Sequence, residues 1–151
     1  MNSAIYKRFL IAIHIVYAIY GMMIEHKLEK PLFWIGSSRD DLKDCPDAVQ
    51  GFIGYALHWA QRGGKSPDAK PLQGFGSAGV LEIVDDFDGN TYRAVYTVRF
   101  ANAVYALHVF QKKSRKGIET PRQEIELVKA RLKRAEAHYT AWVAKTKGEK
   151  P

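Results

Sequence analysis

The stretch VLEIVDDFDGNTYRAVYTVRFANAVYALHVFQKK, residues 80–113, decides the fold. β-branched and aromatic residues are concentrated in three runs, which predict strands over 80–84, 92–100 and 104–111. Residues 85–90 separate the first two runs, and their Asp-Gly-Asn sequence tolerates the positive φ angles of a tight turn. Ala101 and Asn102 separate the second and third runs. The stretch therefore predicts an antiparallel meander of three strands.

Further elements are predicted on both sides of the meander. Residues 31–36 form an apolar and aromatic run that ends at Gly36, as a short buried strand does. Two helices follow: one begins at Ser37 or Ser38 and ends near Pro46, and the other extends from Asp47 to the Gly63-Gly64 pair. After the meander, Thr120 to Gln123 read as a capping box with proline at the first helical position. The apolar stripe of this last helix consists of Ile125, Val128, Leu132, Ala135, Tyr139 and Trp142.

The predicted order is strand, two helices, three strands, helix. It indicates an α+β domain with a small, mainly antiparallel sheet, two N-terminal helices and a C-terminal helix. With the helices on one face, the opposite face of the sheet would be open to a ligand. The glycine-rich loop 63–79 matches neither the P-loop nor the dinucleotide fingerprint.

Composition limits the possible partners. The chain has 151 residues, a formal net charge of +7 and a sequence pI near 9.5. Such a basic chain suits a polyanion such as nucleic acid, although a protein that is merely basic is the simpler alternative. Cys45 is the only cysteine, so a disulfide within the chain and a cysteine-based zinc site are excluded. We expect no metal, no small-molecule cofactor, and a reducing, cytoplasmic location.

The sequence predicts that the chain has three parts. Residues 1–24 form an apolar extension, 25–145 the domain, and 146–151 a tail. Lys7 and Arg8 followed by an apolar run resemble a secretory signal, but no cleavage site follows and the run is short for a membrane span. A start assigned too early, before Met22 and Met23, is the interpretation favoured here, and a single-pass anchor is the alternative.

The stretch from Thr91 to Ile118 is the predicted working surface. Its 28 residues include six basic and no acidic side chains, interleaved with aromatic rings. Basic residues neutralise phosphates and aromatic rings stack on bases. The composition is therefore as typical of an RNA-binding surface as it is of a solvated basic strand face. If the second and third strands of the meander pair so that the numbers of opposite residues sum to 201, Arg93 lies opposite His108. Lys112 then lies on the same face as His108.

A cluster of arginine, histidine and lysine side chains has the groups needed to cleave RNA. Arginine and lysine donors would stabilise the extra charge formed when a 2′-hydroxyl attacks the adjacent phosphate. Histidine, or a lysine whose pKa is lowered by its neighbours, would move the protons. This predicts RNA cleavage without a metal.

Five blocks occur in a fixed order: KPLQGFG at 70–76, GVLEI at 79–83, TYRAVY at 91–96, LHVFQKKS at 107–114, and Thr120-Pro121 before a basic helix. The series resembles the phage-derived, HigB-like toxins of the RelE/ParE superfamily over residues 30–142. The resemblance implies a RelE-like fold, a type II toxin–antitoxin role, ribosome-dependent cleavage of messenger RNA, and neutralisation by a helix-turn-helix antitoxin.

Residue roles are predicted from both sources. The resemblance implies catalytic roles for Arg93, His108, Lys112, Lys113 and Arg115, and it also singles out Lys70. With Lys70, the basic and aromatic pattern adds RNA-binding roles for Tyr92, Tyr96, Arg99 and Lys116. Two alternatives stay open: a ParE-like inhibitor of DNA gyrase, and a non-catalytic phage protein that binds nucleic acid.

Overall fold

Residues 80–112 form the centre of a five-stranded sheet in the computed structural model, which describes residues 3–112 and 120–148. In chain order the elements are α1 (Ser3–Leu28), β1 (Leu32–Trp34), α2 (Ser38–Lys43), α3 (Asp47–Gln61), β2 (Lys70–Pro71), β3 (Val80–Phe87), β4 (Asn90–Thr97), β5 (Val104–Lys112) and α4 (Arg122–Gly148).

The meander is confirmed. β3 pairs with β4 and β4 with β5, all antiparallel. Phe87 pairs with Asn90 across a two-residue turn in which Asp88 (φ 49°) and Gly89 (φ 74°) both have positive φ, as a type I′ turn requires. The turn is thus shorter than predicted, because both strands extend into residues 85–90.

The sheet is larger than the sequence predicts. Its order is β1-β5-β4-β3-β2, and β1 pairs parallel with β5, so that Phe33 lies beside Tyr105. β2 lies in the segment predicted as loop, where Lys70 pairs with Glu82 of β3. The described residues form four helices rather than three, since α1 covers most of the predicted N-terminal extension.

Both faces of the sheet are covered, so the expectation of an open face is wrong. On one face Ile53 and Leu57 of α3 pack against Leu81 and Ile83 in one hydrophobic cluster. On the other face, a second cluster joins α4 to the strands. Buried and exposed residues therefore do not alternate along the strands as they do in a sheet with one exposed face. The last six residues of β4, for example, are all buried.

The register of β4 and β5 also differs from the expectation. Arg93 lies opposite Phe110 and Val95 opposite His108, so the paired numbers sum to 203. Between Val95 and Tyr96 the register shifts, which leaves Leu107 as an extra residue of a β-bulge. Arg93 and His108 therefore share the α4 face but are not direct partners.

α1 presents apolar side chains to solvent. Ile11, Ile15, Tyr17 and Met22 are each more than half exposed. Across the part of the chain that the structure describes, no helix has the length and apolar character needed to cross a membrane. The division at residue 24 stays a prediction.

Gly36 marks the point where β1 turns toward α2. It has φ +61°, and a Cβ there would come 2.9 Å from Nε of Arg131. Gly51 on α3 has ordinary φ and open space around it.

We expect Gly36→Ala to lower the free energy of unfolding by about 1–3 kcal/mol, since it combines backbone strain with a clash. Gly51→Ala, the matched control, should raise it by roughly 0.5–1 kcal/mol through helix propensity. Urea unfolding of both variants checks the pair, and equal effects would contradict the role given to Gly36.

Candidate functional site

A carboxylate and a guanidinium meet between β3 and β4 on the α4 face. Arg93 Nη1 donates to Glu82 Oε2 at 2.8 Å and to Thr120 Oγ1 at 3.0 Å. Thr120 Oγ1 lies 3.3 Å from the same carboxylate oxygen and donates to it. Glu82 and Arg93 are 7% and 3% exposed, so each charge is balanced by the other away from bulk water.

Lys70 brings a second cation to Glu82 from the edge of the sheet. Its Nζ lies 3.8 Å from Glu82 Oε1, and its side chain is about half exposed. Oε2 is therefore engaged by Arg93 and Thr120, while Oε1 faces Lys70. The four residues Lys70, Glu82, Arg93 and Thr120 are called the Glu82 cluster below.

The Glu82 cluster borders a cavity of about 620 Å³ between β2, the loop that follows it, and the first turns of α4. Three basic side chains line it, those of Lys70, Arg122 and Lys129, against the acidic Glu82 and Glu126. Because Arg93 neutralises Glu82 from behind, the cavity has an excess of positive charge and suits an anion. Its volume lies within the range typical of small-ligand sites.

Behind the Glu82 cluster, His108 joins β5 to α4. Its Nε2 bonds Glu124, and its Nδ1 lies 3.1 Å from Arg131 Nη1. Since a guanidinium only donates, Nδ1 must accept, and Nε2 then carries the proton that it donates to Glu124. Both ring nitrogens are thereby engaged within the protein, and His108 is 6% exposed.

Arg131 connects three elements. Nη1 also donates to the Leu107 carbonyl at 2.9 Å, and Nη2 donates to Ser37 Oγ at 2.9 Å. Desolvation by burial lowers the pKa of Arg131 from its ordinary value, while Asp41 and Glu124 act in the opposite direction. It stays charged at neutral pH because an arginine guanidinium is too basic to lose its proton in a protein.

The other predicted site residues are dispersed. Tyr92 and Tyr96 lie in the core on the α3 side of the sheet, at 9% and 1% exposure. Arg99 pairs with Glu136 of α4 at the surface, and Lys112 ends β5 opposite Thr91. Predicted residues Lys113, Arg115 and Lys116 lie outside the described residues. The structure therefore brings together Arg93 and Lys70, with His108 on the same face.

Sequence reasoning missed the acidic members of the site. Glu82 precedes the acid-free stretch in the chain and Glu124 follows it, yet strand pairing places Glu82 against Arg93 and helix packing places Glu124 against His108. The one available signal was a glutamate inside an apolar strand, since a buried carboxylate needs a partner. Thr120 was assigned to a helix cap, whereas its hydroxyl bonds Arg93 and Glu82.

Among the described residues, no group of three or more histidine, cysteine, aspartate or glutamate side chains is arranged to hold a metal ion. The chemistry available at the Glu82 cluster is proton transfer by a carboxylate beside two cations.

The molecule is thus a small α+β domain. Its sheet is covered on both faces and has a basic cavity at one edge. Residues 40–133 match the family described as Phage derived protein Gp49-like (DUF891). The chain belongs to this phage-derived family, which is a RelE/ParE-like toxin family. Comparison with curated proteins and with solved structures found no match.

The hydroxyl group of Tyr96 makes its position in the core testable. Its hydroxyl is buried and forms no hydrogen bond with any described residue, and burial raises its pKa to about 12. The unfolded chain, with a tyrosine pKa of about 10, loses this proton first as the pH rises. Stability that is complete below pH 10 is therefore lost between about pH 10 and 12.

We expect Tyr96→Phe to equal or exceed the parent in stability at pH 7, by up to about 1 kcal/mol, because it removes an unsatisfied polar group. Its stability should also fall less steeply above pH 10. Urea unfolding at both pH values measures this, with Tyr55→Phe, 59% exposed, as the control. A large loss of stability at pH 7 would contradict the placement.

The pair of Glu82 and Arg93 is open to a double-mutant cycle. Arg93→Met alone should cost about 3–5 kcal/mol, because it leaves a buried carboxylate without its main partner. Adding Glu82→Leu should recover most of that cost. In the exposed pair of Lys43 with Asp40, at 3.7 Å, Lys43→Met should change stability by less than about 1 kcal/mol. Additive costs in the cycle would count against a mutually dependent pair.

Proposed function

We propose that the protein is the toxin of a type II toxin–antitoxin pair and that it cleaves messenger RNA at the Glu82 cluster. The observation that carries the proposal is the position of Glu82, between Arg93 and Lys70 and beside a basic cavity. Membership of a RelE/ParE-like toxin family supports the biological setting.

The proposed reaction begins at the 2′-hydroxyl of the nucleotide in the cavity. Glu82 accepts the hydroxyl proton through Oε1, the oxygen that Arg93 and Thr120 leave available. The 2′-oxygen attacks the adjacent phosphorus, and the bond from phosphorus to the 5′-oxygen breaks. The products are a 2′,3′-cyclic phosphate and a 5′-hydroxyl, which takes its proton from the Lys70 ammonium or from water.

The cations stabilise the charge that develops on the phosphoryl oxygens. Lys70 is half exposed and reaches the cavity directly, whereas Arg93 acts from behind Glu82. In this scheme Arg93 holds the carboxylate in position through the hydrogen bond to Oε2. His108 is given a positioning role, because its two ring nitrogens hold Glu124 and Arg131 of α4 and thereby fix the helix turn beside Thr120.

The remaining parts of the proposal concern partners. A net charge of +7 suits an RNA-rich partner, and the proposal includes messenger RNA on the ribosome as substrate. It also includes a helix-turn-helix antitoxin and a cytoplasmic location. The catalytic roles of Lys112, Lys113 and Arg115 stay predictions from the sequence.

The test is induced expression in a bacterial host, with growth and the integrity of messages as readouts. Glu82→Gln keeps the size of the side chain and an oxygen acceptor for Arg93 and Thr120 but removes the base, so cleavage should fall by about 10²-fold or more. Because Arg93 also loses its counter-charge, urea unfolding of the variant checks that it is folded. Lys70→Ala, at an exposed position that folding tolerates, should lower it at least about tenfold. Lys65→Ala, which removes an exposed lysine of the same loop outside the cavity lining, should match the parent.

Intact messages during growth arrest would contradict the proposal. If supercoiling of DNA were lost at the same time, gyrase inhibition on the same fold would be the function. Full cleavage by both Glu82→Gln and Lys70→Ala would remove the Glu82 cluster as the site.

A further inference from the structure

A second cavity continues the first along α4. It measures about 460 Å³ and shares Gly74, Glu126 and Lys129 with the cavity at the Glu82 cluster. Gly74 and Phe75 line one side, and Lys129, Ala130 and Lys133 of α4 line the other. We call this second cavity the Phe75 groove. Its continuity with the first means that a chain bound at Glu82 can extend into it.

The charges in the Phe75 groove favour an anion. Of the two carboxylates in its lining, Glu136 is paired with Arg99, which lies outside the lining, and Glu126 is paired with Lys129 at 3.2 Å, so the charge of Lys133 is left in excess. Lys133 lines the groove, is exposed, and forms no ion pair with any residue that the structure describes. Lys129 and Lys133 are one helical turn apart, about 6 Å along the axis, on the same side of α4.

Phe75 provides the apolar surface. It is half-buried, and its inner side packs against the cluster beneath α4, which fixes the ring at the groove wall. An aromatic ring beside two lysines is the combination that binds single-stranded nucleic acid, with a base on the ring and phosphates on the ammonium groups.

We propose that the Phe75 groove is a subsite for the nucleotide next to the cleaved bond. The base lies against Phe75, and the backbone phosphate is bound by Lys133 and Lys129. The inference rests on the proposed function for the identity of the ligand, a single-stranded RNA. The occupant is argued from the continuity of the two cavities and from the positive charge of Lys133.

The experiment measures binding of short fluorescent single-stranded RNAs by fluorescence anisotropy, in a Glu82→Gln protein so that the RNA stays intact. Combined Lys129→Ala and Lys133→Ala should reduce the slope of log affinity against log salt by about 1.4, as expected for two lost phosphate contacts. Phe75→Ala should weaken binding roughly tenfold, and Phe75→Trp should restore it. Lys145→Ala with Lys147→Ala removes the same charge from the far end of α4 and should leave the slope unchanged.

Four results would overturn the inference. One is an unchanged salt slope in the double lysine variant, and another is an equal loss in the control at the end of α4. The third is failure of the Glu82→Gln protein to bind any of the RNAs. Loss of antitoxin binding without loss of RNA binding would also reject RNA as the occupant.

The two proposals fail separately. If the unmodified protein cuts no RNA but the groove variants still lose RNA binding, only the cleavage proposal fails. If cleavage proceeds and depends on Glu82 while the groove variants bind RNA normally, only the subsite fails.

Discussion

The buried guanidinium of Arg131 is the interaction on which the rest of the structure depends. It bonds the Leu107 carbonyl and His108 of β5 and the Ser37 hydroxyl before α2, and it extends from the middle of α4. An arginine in an apolar layer is costly unless its donors are satisfied, so its position fixes how α4 lies on the sheet. The guanidinium also explains why residue 36 is glycine, because any Cβ there would clash with it.

The placement of α4 determines the character of the candidate site. By covering one face of the sheet, α4 encloses Glu82, Arg93 and His108, and it brings Thr120 and Glu124 to them. What the sequence presents as a basic strand face becomes a balanced polar layer. Positive charge remains where this layer opens at the sheet edge, at Lys70, Arg122 and Lys129. The proposed chemistry is thereby confined to the one place where the carboxylate of Glu82 meets open space.

Local signals were sufficient for the meander, the short first strand and the helices α2 and α3, because each is specified by periodicity and by its turn residues. The Asp88-Gly89 turn is the clearest case, since both residues adopt the positive φ that their types allow. The bulge at Leu107 has no comparable local signal. It shifts the register of His108 relative to Arg93, and parity over the whole strand gives the wrong partner.

The candidate site was predictable only in part, for the same reason. Arg93 was found because basic and aromatic residues on a strand suggest phosphate binding, and Lys70 because the resemblance to the toxin family singled it out. Glu82 and Arg131 were missed because the role of Glu82 comes from pairing between β2, β3 and β4, and that of Arg131 from helix packing across 23 residues or more. Burial also reassigns Tyr96 from a possible stacking surface to the core.

The most direct test of the central claim is the chemistry of the RNA ends produced by the purified protein on ribosomes with a defined message. The account predicts a 2′,3′-cyclic phosphate and a 5′-hydroxyl, and it predicts no cut where a single 2′-deoxy nucleotide replaces the one before the cleaved bond. Cleavage at the deoxy position, or ends with a 3′-hydroxyl and a 5′-phosphate, would contradict it.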